Sequence, residues 1–142
     1  MLIANGAESY ETIWQEDIIV SQDSAYVFDG WAASWGIGYG PVDPHPADLW
    51  IFINGALVGS LALPESNGLW APFSVIWDSG TATTAEIRIL DHTTFSFGND
   101  FSLDDLSFSP SQSTPVPEPS TMTLLGFGLA GLAGMARRRR TV

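Results

Sequence analysis

Residues 48–63 read Asp-Leu-Trp-Ile-Phe-Ile-Asn-Gly-Ala-Leu-Val-Gly-Ser-Leu-Ala-Leu. Two apolar runs, 49–53 and 57–58, flank the pair Asn54-Gly55. Asn-Gly fits the two central positions of a type I′ turn, where both residues need a positive φ. The stretch therefore predicts a tight β-hairpin.

Short runs with strand character lie on both sides of this hairpin, at 12–20 and 25–35 before it and at 70–77, 84–90 and 101–108 after it. In the run 84–90, apolar residues alternate with Glu86 and Arg88, which is typical of a sheet with one wet face. No 3.6-residue apolar period is found before the C-terminal tail. We count seven strands and no helix in this part of the chain.

The last of these strands has a break in its alternation. The apolar residues at 101 and 103 share one parity, whereas those at 106 and 108 have the other. A bulge at Asp104-Asp105 would turn all four toward the core. Seven short antiparallel strands then predict an all-β fold, an antiparallel β-sandwich over residues 1–109.

A different pattern follows residue 109. Residues 110–115 form a polar linker, followed by Val116-Pro117-Glu118-Pro119-Ser120, an uncharged run to residue 136 and the cluster Arg137-Arg138-Arg139-Arg140. The fifteen uncharged residues 122–136 make roughly 22 Å of helix at about 1.5 Å per residue, and they predict a short C-terminal transmembrane helix over about 120–136. Arginine-rich flanks resist translocation, so we expect the arginine cluster on the cytoplasmic side of the membrane and the domain on the opposite side. An ordinary membrane anchor is the alternative.

The tail 116–142 resembles the PEP-CTERM sorting signal, which has the same motif, short helix and arginine cluster. The same segment is also called an ice-binding protein C-terminal domain, a label that proves no ice binding. The resemblance implies a Gram-negative host and an exosortase that recognises the Pro-Glu-Pro motif and processes the tail. It also implies a transient stay in the inner membrane with the domain on the periplasmic side, then a place at the cell surface or outside the cell.

The domain carries a second resemblance, through Ala32-Ala33-Ser34-Trp35, the Asn54-Gly55 hairpin, Trp70 and the closing stretch 98–106. These features resemble the galactose-binding-like jelly rolls found in many PEP-CTERM proteins and in carbohydrate-binding modules. The resemblance spans about residues 5–109 and implies a jelly-roll β-sandwich. The opening strand of such domains survives here at most as a stub around residues 5–8, so we expect a truncated first strand. Because residues 1–6 do not look like a signal peptide, we expect the true start upstream.

The charge of the domain restricts its partners. In residues 1–115 one basic residue, Arg88, stands against fifteen acidic ones, a formal charge of −14. Such a domain repels nucleic acid and, without bridging cations, anionic polysaccharide. A domain with this charge is suited to binding divalent metal or neutral sugars, or the charge simply keeps it soluble outside the cell. The chain has no cysteine, which excludes disulfides and a thiol nucleophile.

Four oxygen-bearing side chains fall within seven residues: Asn99, Asp100, Asp104 and Asp105. Hard cations such as calcium prefer oxygen ligands, and in the related jelly rolls a structural calcium commonly involves an Asp of the final strand, here Asp104 or Asp105. In the alternative reading, Asn99-Asp100 is a turn and the Asp pair bonds backbone groups at the bulge. Structural calcium is therefore the one cofactor that the sequence suggests.

Aromatic residues surround the loop 36–47, which holds six glycines and prolines. Trp31, Trp35, Trp50 and Tyr39 are expected to cluster there, where exposed rings could stack on sugar faces. Core packing is the default for an aromatic residue in a strand. Trp35 and Tyr39 are the best candidates for a glycan-binding site because they border or lie in the loop.

The sequence offers no arrangement typical of an enzyme. His45 and His92 stand near no recognisable nucleophile motif and match no zinc motif. We therefore expect a non-catalytic protein. We expect it to act as a module that binds glycan or exopolysaccharide. The alternative is a structural or adhesive component of the extracellular matrix without a specific ligand.

Overall fold

Two four-stranded antiparallel sheets make up the part of the chain that the computed structural model describes, residues 1–36, 40–95 and 97–111. Sheet A has the strand order β1-β8-β3-β6 and sheet B the order β2-β7-β4-β5. The strands are β1 Leu2–Ala4, β2 Glu11–Ile19, β3 Ala25–Ser34, β4 Asp48–Ile53, β5 Ala56–Ala62, β6 Trp70–Asp78, β7 Thr84–Asp91 and β8 Phe101–Pro110. The predicted antiparallel jelly-roll sandwich is confirmed. The predicted transmembrane helix lies outside the described residues.

The hairpin predicted at Asn54-Gly55 joins β4 to β5. Asn54 has φ 50° and Gly55 has φ 77°, as a type I′ turn requires. The Asn54 side chain also fixes the turn to β7, since its Oδ1 accepts the Glu86 N–H (2.8 Å) and its Nδ2 donates to the Thr84 carbonyl (3.0 Å). The turn therefore sets both the hairpin and its place in sheet B.

The core lies between the two sheets and follows the period of two. In β7, Ala85, Ile87 and Ile89 are buried while the residues between them face outward. The inward residues of β4 are buried in the same way. Phe28 and Phe101 of sheet A pack against them from the other side of the core. Each fully buried aliphatic or aromatic side chain contributes about 1.5–3 kcal/mol to folding.

The bulge predicted in the last strand is present. Asp29 on β3 stands opposite Ser107, whereas Trp31, two residues on, stands opposite Asp104, so β8 has one extra residue in this interval. Asp105 takes φ 50° there. The bulge restores the inward direction of Leu106 and Phe108, which pack against the core.

The count of seven strands was wrong, because β1 is an eighth strand in the described residues. Leu2–Ala4 pairs with the start of β8, with Leu2 opposite Leu103. Three residues are too few to show an alternation in the sequence, and the strand precedes the stub expected at residues 5–8. β1 forms one edge of sheet A.

Four connections meet at one end of the sandwich. Residues 5–10, 35–47, 63–69 and 92–100 link β1 to β2, β3 to β4, β5 to β6 and β7 to β8. The antiparallel register brings them together, since Phe101 stands opposite both Ala4 and Ser34 and Asp91 opposite Leu49. We call this the loop end.

Candidate functional site

The outer face of sheet A carries two exposed tryptophans near the loop end. Trp31 and Trp35 share the parity that points away from the core, and they are 43% and 40% exposed. Ala33 lies between them with the same parity and is fully buried, as is Ser102, which stands opposite it on β8. Small residues therefore lie at the bottom of this face, and large rings stand on both sides of them.

A groove of about 490 Å³ opens on this face beside Trp35. Its lining is mostly apolar and consists of Met1, Ile3, Ala4, Asn5, Trp35, Asp100 and Ser102. The edge strand β1 supplies one wall, with Ile3 73% exposed. A concave, mostly apolar surface with a few polar groups is the common form of a small-ligand site.

Trp35 is held in place from its backbone and from one side of its ring. Its N–H donates to the Asp100 carbonyl (2.7 Å), which ties the end of β3 to the start of β8. A Cβ at Gly68 would lie 3.4 Å from the Trp35 ring, so the ring rests against the connection between β5 and β6. The predicted exposure of Trp35 is confirmed. Tyr39, its predicted companion, lies outside the described residues.

The polar residues of the groove come from the segment before β2, from the residue before β8 and from β8 itself. The Asp100 Oδ1 accepts the Gly6 N–H (3.1 Å). A Cβ at Gly6 would come within 2.5 Å of the Asn99 Cβ, so glycine is needed for this close approach. The contact brings Asn5 to the same groove as Asp100 and Ser102. Sequence reasoning missed Asn5 and Ser102, because the pairing of β1 with β8 left no local signal.

Asp43 is a buried carboxylate that joins the connections of the loop end. Its Oδ2 accepts a hydrogen bond from the Ser34 Oγ, and its Oδ1 accepts the His45 N–H (2.9 Å). Its own N–H donates to the Glu65 carbonyl. Asp43 is fully buried. Its stretch of sequence is rich in proline and reads as an exposed loop, so the sequence did not predict this role. It fixes the end of β3, just before Trp35.

Asp91 and Asn99 form a second buried polar pair at the same end. The Asn99 Nδ2 donates to the Asp91 Oδ2 (2.7 Å), and the Thr93 N–H donates to the Asp91 Oδ1 (2.9 Å). Burial raises the pKa of the Asp91 carboxyl, although both hydrogen bonds oppose that shift. The Asn99 Oδ1 is buried and has no hydrogen-bond partner in the described part of the chain.

The four residues predicted to hold calcium make separate contacts. Asn99 binds Asp91, and Asp100 binds Gly6. Asp104 pairs with the Met1 ammonium (3.0 Å), which lowers the pKa of that carboxyl, and it accepts the Asp105 N–H (3.1 Å). Within residues 1–36, 40–95 and 97–111, no group of three or more His, Cys, Asp or Glu side chains is placed to hold a metal ion. Calcium binding stays a prediction.

Trp50 does not join the other aromatic residues, so the predicted cluster is wrong on this point. The loop 36–47 connects β3 of sheet A to β4 of sheet B, and the outward residues of these two strands lie on opposite faces of the sandwich. On sheet B, His92 is stacked on Trp50 with ring centroids 3.6 Å apart and on Tyr10 at 4.3 Å. The Trp50 Nε1–H donates to the Asp48 Oδ2 (2.9 Å). Both the face and the indole N–H of Trp50 therefore have partners within the domain.

Two further residues of this outer face, Phe52 and Arg88, are paired in the same way. The Arg88 guanidinium lies 5.4 Å from the centroid of the Phe52 ring, and its Nε is 3.3 Å from the Glu86 Oε1. Trp50 and Phe52 are in tilted contact at 6.3 Å. We call this group of side chains the sheet B aromatic row; it consists of Tyr10, His92, Trp50, Phe52 and Arg88.

The connection between β7 and β8 carries two exposed phenylalanines that the sequence analysis left unassigned. Phe95 is 58% exposed and is stacked on His45, with centroids 4.5 Å apart, and Phe97 is 71% exposed. The sequence does contain a sign of this exposure, because Phe-Ser-Phe stands in a stretch outside the predicted strands. Exposed aromatic rings at the loop end are therefore more numerous than the tryptophan count suggested.

Comparison with known proteins concerns first the tail. Residues 115–140 match the family model of the PEP-CTERM protein-sorting motif. This motif implies an exported protein that an exosortase processes at the membrane. No helix of residues 1–36, 40–95 and 97–111 is long and apolar enough to span a membrane. No curated protein matches the chain.

Solved structures match the domain. The C-terminal domain of EclA, described as a sugar-binding protein, is 18% identical, with a TM-score of 0.59 over 69% of this chain and 66% of that one, slightly under two thirds of its length. The CBM22-1 xylan-binding domain of Paenibacillus barcinonensis Xyn10C is 15% identical (TM-score 0.43, 64% and 58%), and a family 35 carbohydrate binding module from an environmental isolate is 12% identical (TM-score 0.43, 77% and 77%). At this identity the likeness to the first shows a shared fold.

Proposed function

We propose that the domain is a non-catalytic module that binds a glycan, and that the C-terminal signal delivers it to the cell surface or extracellular matrix, where it associates with exopolysaccharide. One observation carries the proposal. The partly exposed ring of Trp35 lines a groove together with the polar residues Asn5, Asp100 and Ser102.

The chemistry of this groove suits a sugar ring. A pyranose has an apolar face that packs on an aromatic ring, and its edge carries hydroxyl groups that need hydrogen-bond partners. Trp35 can supply the first contact, and Asn5 and Asp100 can supply the second. The fold agrees with this role, since the structurally similar EclA domain is described as a sugar-binding protein.

The test compares two tryptophans of the same strand face. Trp35→Ala should weaken retention on immobilised polysaccharide by about thirtyfold or more, because loss of a central aromatic anchor costs about 2 kcal/mol or more. Trp31→Ala is the matched control, since Trp31 has nearly the same exposure but does not line the groove. Affinity electrophoresis against a panel of neutral and charged polysaccharides gives both values.

Two outcomes contradict the proposal. Equal losses in the two variants would show that the groove is not the site. If the wild-type domain is retained by no glycan, the passive structural or adhesive role in the matrix becomes the better explanation.

The sorting step has its own test. We expect an exosortase to remove the cluster Arg137–Arg140 after the domain has reached the periplasmic side of the inner membrane. In a host without the enzyme, the protein should stay in the inner membrane. Mass spectrometry of the surface form checks this directly, and an intact C-terminus at Val142 would contradict it.

A further inference from the structure

One side of the sandwich, formed by the edge strands β5 of sheet B and β6 of sheet A, is nearly free of charge. The seven residues of β5 include no charged one, and the nine of β6 include only Asp78, at the end of the strand. The other edge strand of sheet B, β2, holds Glu11, Glu16 and Asp17. Residues 1–115 carry a formal charge of −14, so a second acidic molecule meets little repulsion at the β5–β6 side.

A second groove, of about 600 Å³, opens on this side, and we call it the side groove. Its lining includes Leu61 of β5 and Phe73 and Val75 of β6. A Cβ at Gly59 would collide with the Val75 Cγ1, so glycine lets the two edge strands approach each other closely. Ile76 also lines the side groove, and it is 67% exposed. The β5–β6 side therefore combines a concave apolar surface with an exposed apolar side chain.

Both edge strands contain an interruption of their regular backbone. β6 contains Pro72, which has no N–H to donate, and β5 has an extra residue, Val58, between the partners of Ile51 and Phe52. Proline and bulges are typical of edges that do not accept a further strand. A partner on this side is therefore expected to pack against the apolar side chains and not to extend either sheet.

We propose that the β5–β6 side is a contact surface for a second copy of this chain. A surface with both a groove and an exposed apolar side chain can be self-complementary across a twofold axis, and each copy then places its Ile76 against the side groove of the other. Such a contact is small, so pairing is weak and forms where many copies are held close together. It does not depend on glycan binding, although two paired modules would hold one polymer at two points.

The chain has no cysteine, so one introduced cysteine reports which surfaces meet. Ser60→Cys and Ser74→Cys place a thiol on β5 and β6, and Gln15→Cys places one on β2; all three positions are exposed. With a short bis-maleimide reagent, the first two variants of the full chain should give about fivefold more covalent dimer than the third, because their thiols lie beside the contact. Association through the tail would raise all three equally.

Salt gives a second readout. The dimer fraction of Ser74→Cys should rise between about 0.01 M and 0.15 M salt, because the Debye length falls from about 30 Å to about 8 Å and the like charges of the two domains are screened. A decrease over the same range would indicate a contact between opposite charges and would overturn the proposal.

Two exposed isoleucines provide a matched pair of substitutions in the Ser74→Cys chain. Ile76→Lys should lower the dimer fraction about fivefold, because it brings an unpaired charge into the contact. Ile19→Lys, at an 89% exposed position on β2, makes the same change in net charge and should not lower it. Equal cross-linking of Ser74→Cys and Gln15→Cys, or equal losses from the two lysines, would overturn the proposal. Weaker retention of Ile76→Lys on polysaccharide without a loss of dimer would also overturn it, since a glycan would then occupy the side groove.

Discussion

The two outer faces of the sandwich both carry tryptophan, but they use it differently. On sheet A, Trp31 and Trp35 stand partly exposed on either side of small buried residues. On sheet B, Trp50 is stacked on His92 at 3.6 Å and bonded to Asp48. The comparison teaches that aromatic content alone does not mark a binding surface. A ring can bind a ligand only if its face is not already covered by its own protein.

The largest expected effect follows from the covered face. Trp50→Ala should lower the free energy of unfolding by about 2 kcal/mol, because it removes a partly buried ring, its stacking on His92 and its hydrogen bond to Asp48. Glycan affinity should not change. Urea unfolding and affinity electrophoresis on the same preparation measure both quantities.

Trp35→Ala is the reciprocal variant. Its loss in unfolding free energy should stay below about 1 kcal/mol, since the ring is partly exposed and rests on one neighbouring segment. If Trp35→Ala destabilised the domain as much as Trp50→Ala, both rings would be structural and the contrast between the faces would disappear.

A smaller effect is expected from pH. Asp91 precedes His92, and burial raises the pKa of its carboxyl above the ordinary value of 3.8. A group with a raised folded-state pKa contributes stability that is present below the unfolded pKa and is lost as pH rises through the folded pKa. The wild type should therefore lose unfolding free energy as pH rises from 3.8 through the folded-state pKa of Asp91.

Asp91→Asn should remove this part of the pH dependence. Rotation of the Asn99 amide would let its Oδ1, which now has no partner in the described residues, accept a hydrogen bond from the new side chain. Unfolding curves at several pH values, compared with those of Asp17→Asn, isolate the contribution. Parallel pH profiles for the wild type and Asp91→Asn would show that the burial of Asp91 has no energetic consequence.

Much of the fold could be predicted because its signals are local. The turn at Asn54-Gly55 needs two residues with positive φ, and the bulge in β8 appears as a change of parity along ten residues. β1 could not be predicted in the same way, because a three-residue strand is defined by its partner β8, about a hundred residues away.

The site could be predicted only in part for the same reason. Trp35 was identified because it ends a strand before a loop, which is a local property. The separation of Trp50 from Trp35 depends on β3 and β4 belonging to different sheets, and the burial of Asp43 depends on Ser34, Glu65 and His45 meeting around it. Sequence distance carries no information on either.

The most direct test of the difference between the faces is an NMR titration that follows the six tryptophan indole N–H signals, each assigned by a Trp→Phe variant. On addition of the glycan that the domain retains best, the Trp35 signal should move most, and the Trp50 signal, fixed by its bond to Asp48, should stay in place. Movement of the Trp50 signal with a stationary Trp35 signal would contradict the account and place the binding surface on sheet B.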